Sequence, residues 1–222
     1  MNDTASALTH ASRANIFQTE ARWRLGTDAL MREGGEPASA PWYAHAARIF
    51  LRLIFPWGGI RIEKGGPARF PYAGITELRL SFDPTRFDTN RHCCDIKSND
   101  GRTTIWSTHY VSVGEFEDRA ATYTSLVRAL VARVAAANPG CAFRAGKRPL
   151  VYWAEHTFLL AMSTLAVFVV AAVGGSAISE LVWLKIAIVA GMIPLALIYA
   201  RKNRPRHFDP TKIPEDVLPD PE

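Results

Sequence analysis

Residues 116–134, FEDRAATYTSLVRALVARV, decide the fold class, because the periodicity of the chain changes there. Apolar side chains recur at steps of three and four residues, which predicts an amphipathic helix. They are Phe116, Ala120, Tyr123, Leu126, Val127, Leu130, Val131 and Val134. Acidic residues open this segment and arginines follow, as the helix dipole favours. Asn138-Pro139-Gly140 is a stop signal, so the helix is predicted to end there.

Short segments of strand type precede this helix. They show alternation or β-branched and aromatic residues, and turn residues separate them. They are 21–25, 29–32, 58–63, 70–72, 75–82, 92–97 and 103–109. Asp100-Gly101 is a strong hairpin turn signal between the last two. Because no strands and helices alternate here, the pattern favours an antiparallel sheet or a small barrel.

Many short strands followed by one amphipathic helix resemble a pleckstrin-homology-like (PH-like) domain. Residues 70–80, FPYAGITELRL, look like the "IPY-x-x-I-x-x-V" strand of bacterial PH-like domains, and Phe116–Arg119 opens the helix as in that family. The resemblance covers roughly residues 20–138 and departs at residues 37–57, which are longer than a simple hairpin turn. It implies an α+β fold, with an antiparallel β-barrel or sheet capped by one C-terminal helix, and a scaffold role.

Residues 152–203 contain two long apolar stretches. Thr157–Ser179 carries no charge, and Leu181–Ala200 carries one, Lys185. About 20 apolar residues are needed to span a bilayer as a helix, and backbone groups in lipid must bond internally. The sequence therefore predicts a two-helix transmembrane hairpin after the PH-like domain, with a buried soluble hairpin as the alternative.

Basic residues flank both apolar stretches and are missing from the short link between them. They are Arg144, Lys147 and Arg148 before the first stretch, and Arg201, Lys202, Arg204 and Arg206 after the second. Basic residues accumulate on the cytosolic side of membrane helices. The predicted location is the bacterial inner (plasma) membrane, as a multi-pass protein with both termini cytosolic.

Several residues of the predicted hairpin have predicted roles. Trp153 and Tyr199 stand where an aromatic belt would meet the membrane interface. Ala187 and Gly191 have the small-residue spacing that lets helices approach closely, and Pro194 predicts a kink in the second helix. Lys185 either extends to the interface or has an ion or proton role.

Residues 41–57 form an apolar and aromatic insertion in the predicted domain at 20–148. As a helix, it would place Arg48 and Arg52 on one stripe, with Trp42 and Trp57 near its ends. Such a segment is typical of a helix that lies in the membrane interface. The other interpretation is a buried strand or helix of the domain, with both arginines facing water.

The two ends of the chain and the cysteines complete the predicted organisation. Residues 1–19 are predicted to be a flexible N-terminus, and the Pro- and acid-rich tail 204–222 is predicted to be disordered or to lie on a partner. The cysteines are odd in number, which argues against a disulfide framework. His92-Cys93-Cys94 is too small a set for a zinc site, so we predict buried structural cysteines, no catalytic residues, no metal and no cofactor.

These patterns predict a membrane-anchored, cytosol-facing scaffold or adaptor that binds a protein partner or an acidic membrane surface. The alternative is an accessory subunit of a larger inner-membrane protein complex. We predict no enzymatic activity, although a lipid-acting enzyme stays open. The net charge of +5 does not imply nucleic acid, so the predicted partners are the lipid bilayer, acidic phospholipid head groups, and another membrane protein or a second copy.

Overall fold

The computed structural model describes residues 8–14, 19–35, 69–84, 88–112, 114–173, 197 and 199–219. The chain divides into two compact units, which we call unit 1 (residues 1–146 and 206–222) and unit 2 (residues 147–205). In the described ranges the structure is mixed α+β. The α+β part of the predicted fold class is therefore confirmed.

Sheet 1 of unit 1 contains four antiparallel strands in the order β1-β2-β3-β4. They are β1 (Thr9–Ser12), β2 (Ala21–Leu25), β3 (Ala29–Gly34) and β4 (Arg69–Pro71). Burial alternates along β2, as expected for a half-buried strand. Trp23 therefore faces the core, whereas Arg22 and Arg24 face outward.

Sheet 2 begins with three antiparallel strands, β5 (Ile75–Phe82), β6 (His92–Ser98) and β7 (Gly101–Trp106). β6 and β7 form the predicted hairpin, but its two turn residues are Asn99 and Asp100, and Gly101 already pairs with Ser98 as the first residue of β7. β8 (Thr108–Ser112) and β9 (Glu115–Asp118) then form a separate hairpin. The segment Glu115–Asp118 is thus a strand, although the sequence predicts it as the first turn of the helix.

The predicted amphipathic helix is α1, Ala120–Ala137. It begins where the Asp118 carboxylate accepts a hydrogen bond of 2.9 Å from the backbone N–H of Ala120. It ends at Asn138, whose side chain donates to the Ile75 carbonyl over 2.9 Å. Pro139 follows and cannot continue a helix. Both ends of α1 are therefore fixed by side-chain hydrogen bonds.

Two strands after α1 extend sheet 2 beyond the sequence prediction. β10 (Ala142–Ala145) lies parallel to β5, and β11 (Arg206–His207) pairs antiparallel with β10. The sheet order is β11-β10-β5-β6-β7. Val217 and Leu218 are buried in the core of unit 1. The tail, predicted to be disordered or to lie on a partner, is therefore part of unit 1 through these residues.

The core of unit 1 lies among both sheets and α1. Sheet 1 contributes Trp23, Leu25, Leu30 and Phe70, sheet 2 contributes Ile75, Leu78, Leu80, Cys94, Ile96 and Ile105, and α1 contributes Tyr123, Leu126, Val127, Leu130, Val131 and Val134. The apolar face that the three- and four-residue spacing predicts on α1 is the face that packs on the sheets. The buried cysteines Cys93 and Cys94 have no exposed surface, in agreement with their predicted structural role.

Unit 2 begins with α2, Pro149–Val173. Within the described residues, no helix is both long and apolar enough to cross a membrane. The first turns of α2 contain Glu155 and His156, and only Thr157–Val173 is free of ionisable groups.

The predicted two-helix transmembrane hairpin at residues 152–203 is therefore wrong for the part of the chain that the structure describes. The predicted inner-membrane location, with a multi-pass chain and both termini cytosolic, depended on that hairpin and is corrected with it. Most of the second predicted helix, Leu181–Ala200, lies outside the described residues. The insertion 41–57 also lies outside them.

Candidate functional site

The structure describes few of the residues to which the sequence assigns roles. Trp42, Arg48, Arg52 and Trp57 of the insertion lie outside the described residues, as do Ala187, Gly191, Pro194 and Lys185. Trp153 lies on α2 with 67% of its surface exposed. Tyr199 is half-buried in unit 2. Because most of these residues lie outside the described ranges, they do not define a site.

Tyr199 belongs to a polar cluster in unit 2 that we call the Lys147 cluster (Lys147, Glu155 and Tyr199). The Lys147 ammonium donates to both Glu155 carboxylate oxygens, at 2.8 and 3.1 Å, and the Tyr199 hydroxyl donates to Glu155 over 3.0 Å. Burial raises the pKa of Tyr199 to about 12. The hydroxyl thus stays protonated and donates at neutral pH, so Glu155 joins Lys147 and Tyr199 within unit 2.

A cleft of about 820 Å³ opens on unit 1, between the outer face of sheet 1 and the segment that leads into α1. It is the candidate functional site. Its lining residues come from β1, β2, β3, β9 and the first turn of α1. They are Thr9, His10, Ala11, Glu20, Arg22, Trp23, Arg24, Glu33, Glu117, Asp118, Arg119, Ala120, Ala121 and Thr122.

The register of sheet 1 determines which side chains form the floor of the cleft. Thr9 lies opposite Arg24, Ala11 lies opposite Arg22, and Arg22 lies opposite Glu33. Residues directly opposite each other share one face of a sheet. The small side chains of Thr9 and Ala11 therefore leave room between longer charged ones.

Arg119 fixes the wall of the cleft against its floor. Its guanidinium donates to the Ala11 carbonyl of β1 over 2.8 Å and to the Glu117 carboxylate over 2.8 Å. This hydrogen bond and the charge of Arg119 lower the pKa of Glu117, which therefore stays ionised at neutral pH. The backbone N–H of Arg119 also donates to the Ser107 carbonyl over 3.0 Å. One residue thus ties the start of α1 to β1.

His10 lies beneath the cleft with 2% of its surface exposed. Its Nε2 is 2.7 Å from the Trp106 carbonyl, which can only accept, so Nε2 carries a proton. Its Nδ1 is 2.9 Å from the Thr122 hydroxyl. Burial lowers the pKa of His10 from 6.5 to about 4, and the positive charge of Arg119 acts in the same direction. His10 is therefore neutral at pH 7, and its two ring nitrogens join β1 to α1 through Thr122 and to β7 through Trp106.

The charges of the cleft fall into two groups. Arg22 pairs with Glu20 at 3.3 Å, and Arg119 pairs with Glu117. Among the described residues, Arg24 donates only to the sulfur of Met31, at 3.7 Å, and Glu33 makes no ion pair. Arg24 and Glu33 therefore offer a cation and an anion to a ligand.

The described residues include charged and polar side chains that can bind a ligand. Among them we find no set of side chains arranged for catalysis. In the described ranges, no group of three or more His, Cys, Asp and Glu side chains could hold a metal ion. Burial raises the pKa of Cys94 well above its usual value and that of Cys141 to about 11, and a protonated thiol is a poor nucleophile. The charged and polar side chains that line the cleft can form noncovalent contacts with a ligand.

Sequence reasoning missed this cleft for identifiable reasons. The alternation of Ala21–Leu25 does indicate that Arg22 and Arg24 face outward. No sequence pattern predicts β1, which lies in the segment 1–19 expected to be flexible. Neither does any local pattern predict that Arg119 reaches the Ala11 carbonyl.

The resemblance to PH-like domains stays a prediction for this chain. Comparison with protein-family models, with curated proteins and with solved structures gave no match.

Proposed function

We propose that this chain is a non-enzymatic adaptor whose unit 1 binds a peptide segment of a partner protein in the cleft. The observation that supports it is the cleft itself, whose charged floor is joined to a wall fixed by Arg119. Loops and clefts held by a rigid scaffold are where binding residues concentrate. A binding role also agrees with the scaffold role that the PH-like resemblance implies.

The charges of the cleft favour a peptide over an acidic lipid surface. The lining carries three arginines and four carboxylates, Glu20, Glu33, Glu117 and Asp118. Surfaces that bind acidic phospholipids carry clusters of Lys and Arg. A mixed lining suits a peptide that itself carries charges of both signs.

Blocking the cleft should abolish peptide binding. Ala121 is exposed and lines the cleft, so Ala121→Trp places a large side chain there without disturbing the core. Peptides selected from a random library on the full chain should bind this variant at least about tenfold more weakly, because a clash removes the complementary surface. Fluorescence anisotropy of labelled peptides measures the affinity.

The matched control is Ala136→Trp, an exposed alanine on the same helix that is not among the lining residues. It should bind the selected peptides as the wild type does. Equal binding by wild type and Ala121→Trp, or a library that yields no binder, would refute the proposed function. Preferential binding of the full chain to anionic vesicles over the selected peptides would refute it in favour of a lipid surface.

A second candidate function is that of a subunit in a larger protein complex, and the exposed face of α2 favours it. Large apolar side chains are exposed there, among them Leu150 at 84%, Leu160 at 70% and Phe168 at 68%. Large exposed apolar patches mark interaction sites. The exposed small residues Thr157, Ala161 and Thr164 follow one helix face, between Trp153 and Leu160 on one side and Phe158 and Leu165 on the other. A groove between two ridges accepts an apolar helix of another subunit.

The apolar face of α2 should make the isolated full chain self-associate. Replacing Leu160 and Phe168 together by Gln should lower the mean mass measured by light scattering, because both side chains are solvent-exposed and only an interface would need them apolar. The same double variant should bind cleft peptides normally. A monodisperse wild-type monomer would contradict this second candidate.

A further inference from the structure

We propose that the cleft selectively binds an extended peptide that carries an acidic and a basic side chain two residues apart. This inference rests on the proposed function and adds the chemistry of the partner. It follows from the positions of two side chains, Arg24 and Glu33, and from the way in which the other charges of the cleft are neutralised.

Arg24 and Glu33 are diagonal neighbours on the outer face of sheet 1. Arg24 lies opposite Met31, and Glu33 follows Met31 by two residues on β3. Diagonal neighbours on one face of an antiparallel pair lie about 7–8 Å apart. Both side chains are exposed, so both heads can turn toward a ligand.

An extended peptide matches this separation. A strand rises about 3.3 Å per residue, so side chains two residues apart point the same way and are separated by about 7 Å. An acidic side chain of the peptide can thus contact Arg24 while a basic side chain two residues away contacts Glu33. Helical peptides have neighbours at three and four residues instead, and do not share this spacing.

The remaining charges of the cleft disfavour a ligand whose charged groups all have the same sign. Arg22 is paired with Glu20, and Arg119 with Glu117, while Asp118 caps α1. A purely acidic peptide would gain Arg24 but meet Glu33, and a purely basic peptide would gain Glu33 but meet Arg24. The cleft therefore selects the order of the charges along the peptide as well as their signs.

Two carbonyls at the free edge of β1 are already occupied, which favours side-chain recognition over strand addition as the mode of binding. The Ala11 carbonyl already accepts from Arg119 over 2.8 Å. The next carbonyl on that edge, of Arg13, accepts from the backbone N–H of Tyr110 over 2.9 Å. Strand addition needs such carbonyls to be available.

The test uses the full chain and two short synthetic peptides of equal composition. The alternating peptide has Lys and Glu in turn at every second position, separated by serine, so both signs share one face. The segregated peptide repeats Ser-Ser-Lys-Glu, so an extended chain places lysines on one face and glutamates on the other. All-Lys and all-Glu versions of the alternating peptide complete the set.

The alternating peptide should bind wild type about tenfold more tightly than the other three, and less tightly as salt rises. Arg24→Glu and Glu33→Arg should each weaken its binding by about fivefold to tenfold, since each replaces an attraction by a repulsion. The double variant Arg24→Glu/Glu33→Arg should restore the affinity, because the two signs exchange places. Arg128→Glu, an exposed charge on α1 outside the cleft, should change nothing.

Equal affinity for the alternating and segregated peptides, or a double variant that binds no better than the single ones, would overturn the spacing rule. That failure differs from a failure of the proposed function. If selected peptides still bind wild type and lose binding in Ala121→Trp, the cleft remains the binding site and only the rule about charge spacing is wrong. If Ala121→Trp has no effect on any peptide, both proposals are wrong.

Discussion

Trp23→Ala is expected to lower the free energy of unfolding of unit 1 by about 3–5 kcal/mol, as for other deletions of large buried aromatic side chains. Trp23 is 1% exposed and lies in the core cluster that joins both sheets and α1. The Arg32 guanidinium also lies 5.9 Å from the centroid of its ring. Urea denaturation followed by circular dichroism measures the change.

Two substitutions separate the packing of Trp23 from its polar group. The indole N–H is buried and has no hydrogen-bond partner, so Trp23→Phe keeps an aromatic ring and removes an unsatisfied donor. It should cost less than about 1.5 kcal/mol. Arg24→Ala, its exposed neighbour on β2, should stay within about 0.5 kcal/mol of wild type. A Trp23→Ala variant as stable as Arg24→Ala would contradict the described core.

Acid is expected to destabilise unit 1 through His10 by about 3 kcal/mol. The folded state holds the pKa of His10 at about 4, below its ordinary value of 6.5. Between these pH values the unfolded state binds the proton and the folded state does not. Stability is therefore fully present above pH 6.5 and falls as the pH drops toward 4. Denaturation curves recorded from pH 7 to pH 4 measure this decrease.

His10→Gln should remove most of this pH dependence, because glutamine can donate to the Trp106 carbonyl but does not titrate. Burial also lowers the pKa of His109, with Arg119 acting in the same direction, so a smaller decrease should remain. His207→Gln, which alters an exposed histidine on β11, should keep the wild-type slope. An unchanged slope in His10→Gln would show that the burial of His10 does not control acid stability.

The periodic parts of unit 1 could be predicted from the sequence. β2 follows from alternation around Trp23, the β6–β7 hairpin follows from Asp100-Gly101, and α1 follows from its apolar spacing. β1, β10 and β11 could not be predicted, because strands of two to four residues carry too little pattern. These strands form because neighbouring strands of sheets 1 and 2 pair with them.

The transmembrane prediction rests on the length of two apolar stretches, on the basic residues that flank them and on the aromatic residues near their ends. The run Thr157–Ser179 is free of charge, but such a run does not show where a helix starts and stops. In the structure α2 starts at Pro149, with Glu155 held by Lys147 in its early turns, and its described part ends at Val173. The helix therefore begins before the charge-free run and includes Glu155.

Only part of the candidate site can be predicted from the sequence. Outward-facing Arg22 and Arg24 follow from the period of β2, and β3 supplies Glu33 through register. The wall depends on Arg119 meeting β1 and on His10 bridging Trp106 and Thr122, which are contacts between residues about a hundred positions apart. Only tertiary structure brings such residues together.

Backbone amide NMR of the full chain, titrated with a peptide selected from the random library, tests the proposed adaptor function most directly. Chemical-shift changes should concentrate at Thr9–Ala11, Arg22–Arg24, Glu33 and Glu117–Thr122, and they should vanish in Ala121→Trp while persisting in Ala136→Trp. Shift changes confined to α2 or to the far end of α1 near Asn138, or none at saturating peptide, would contradict it.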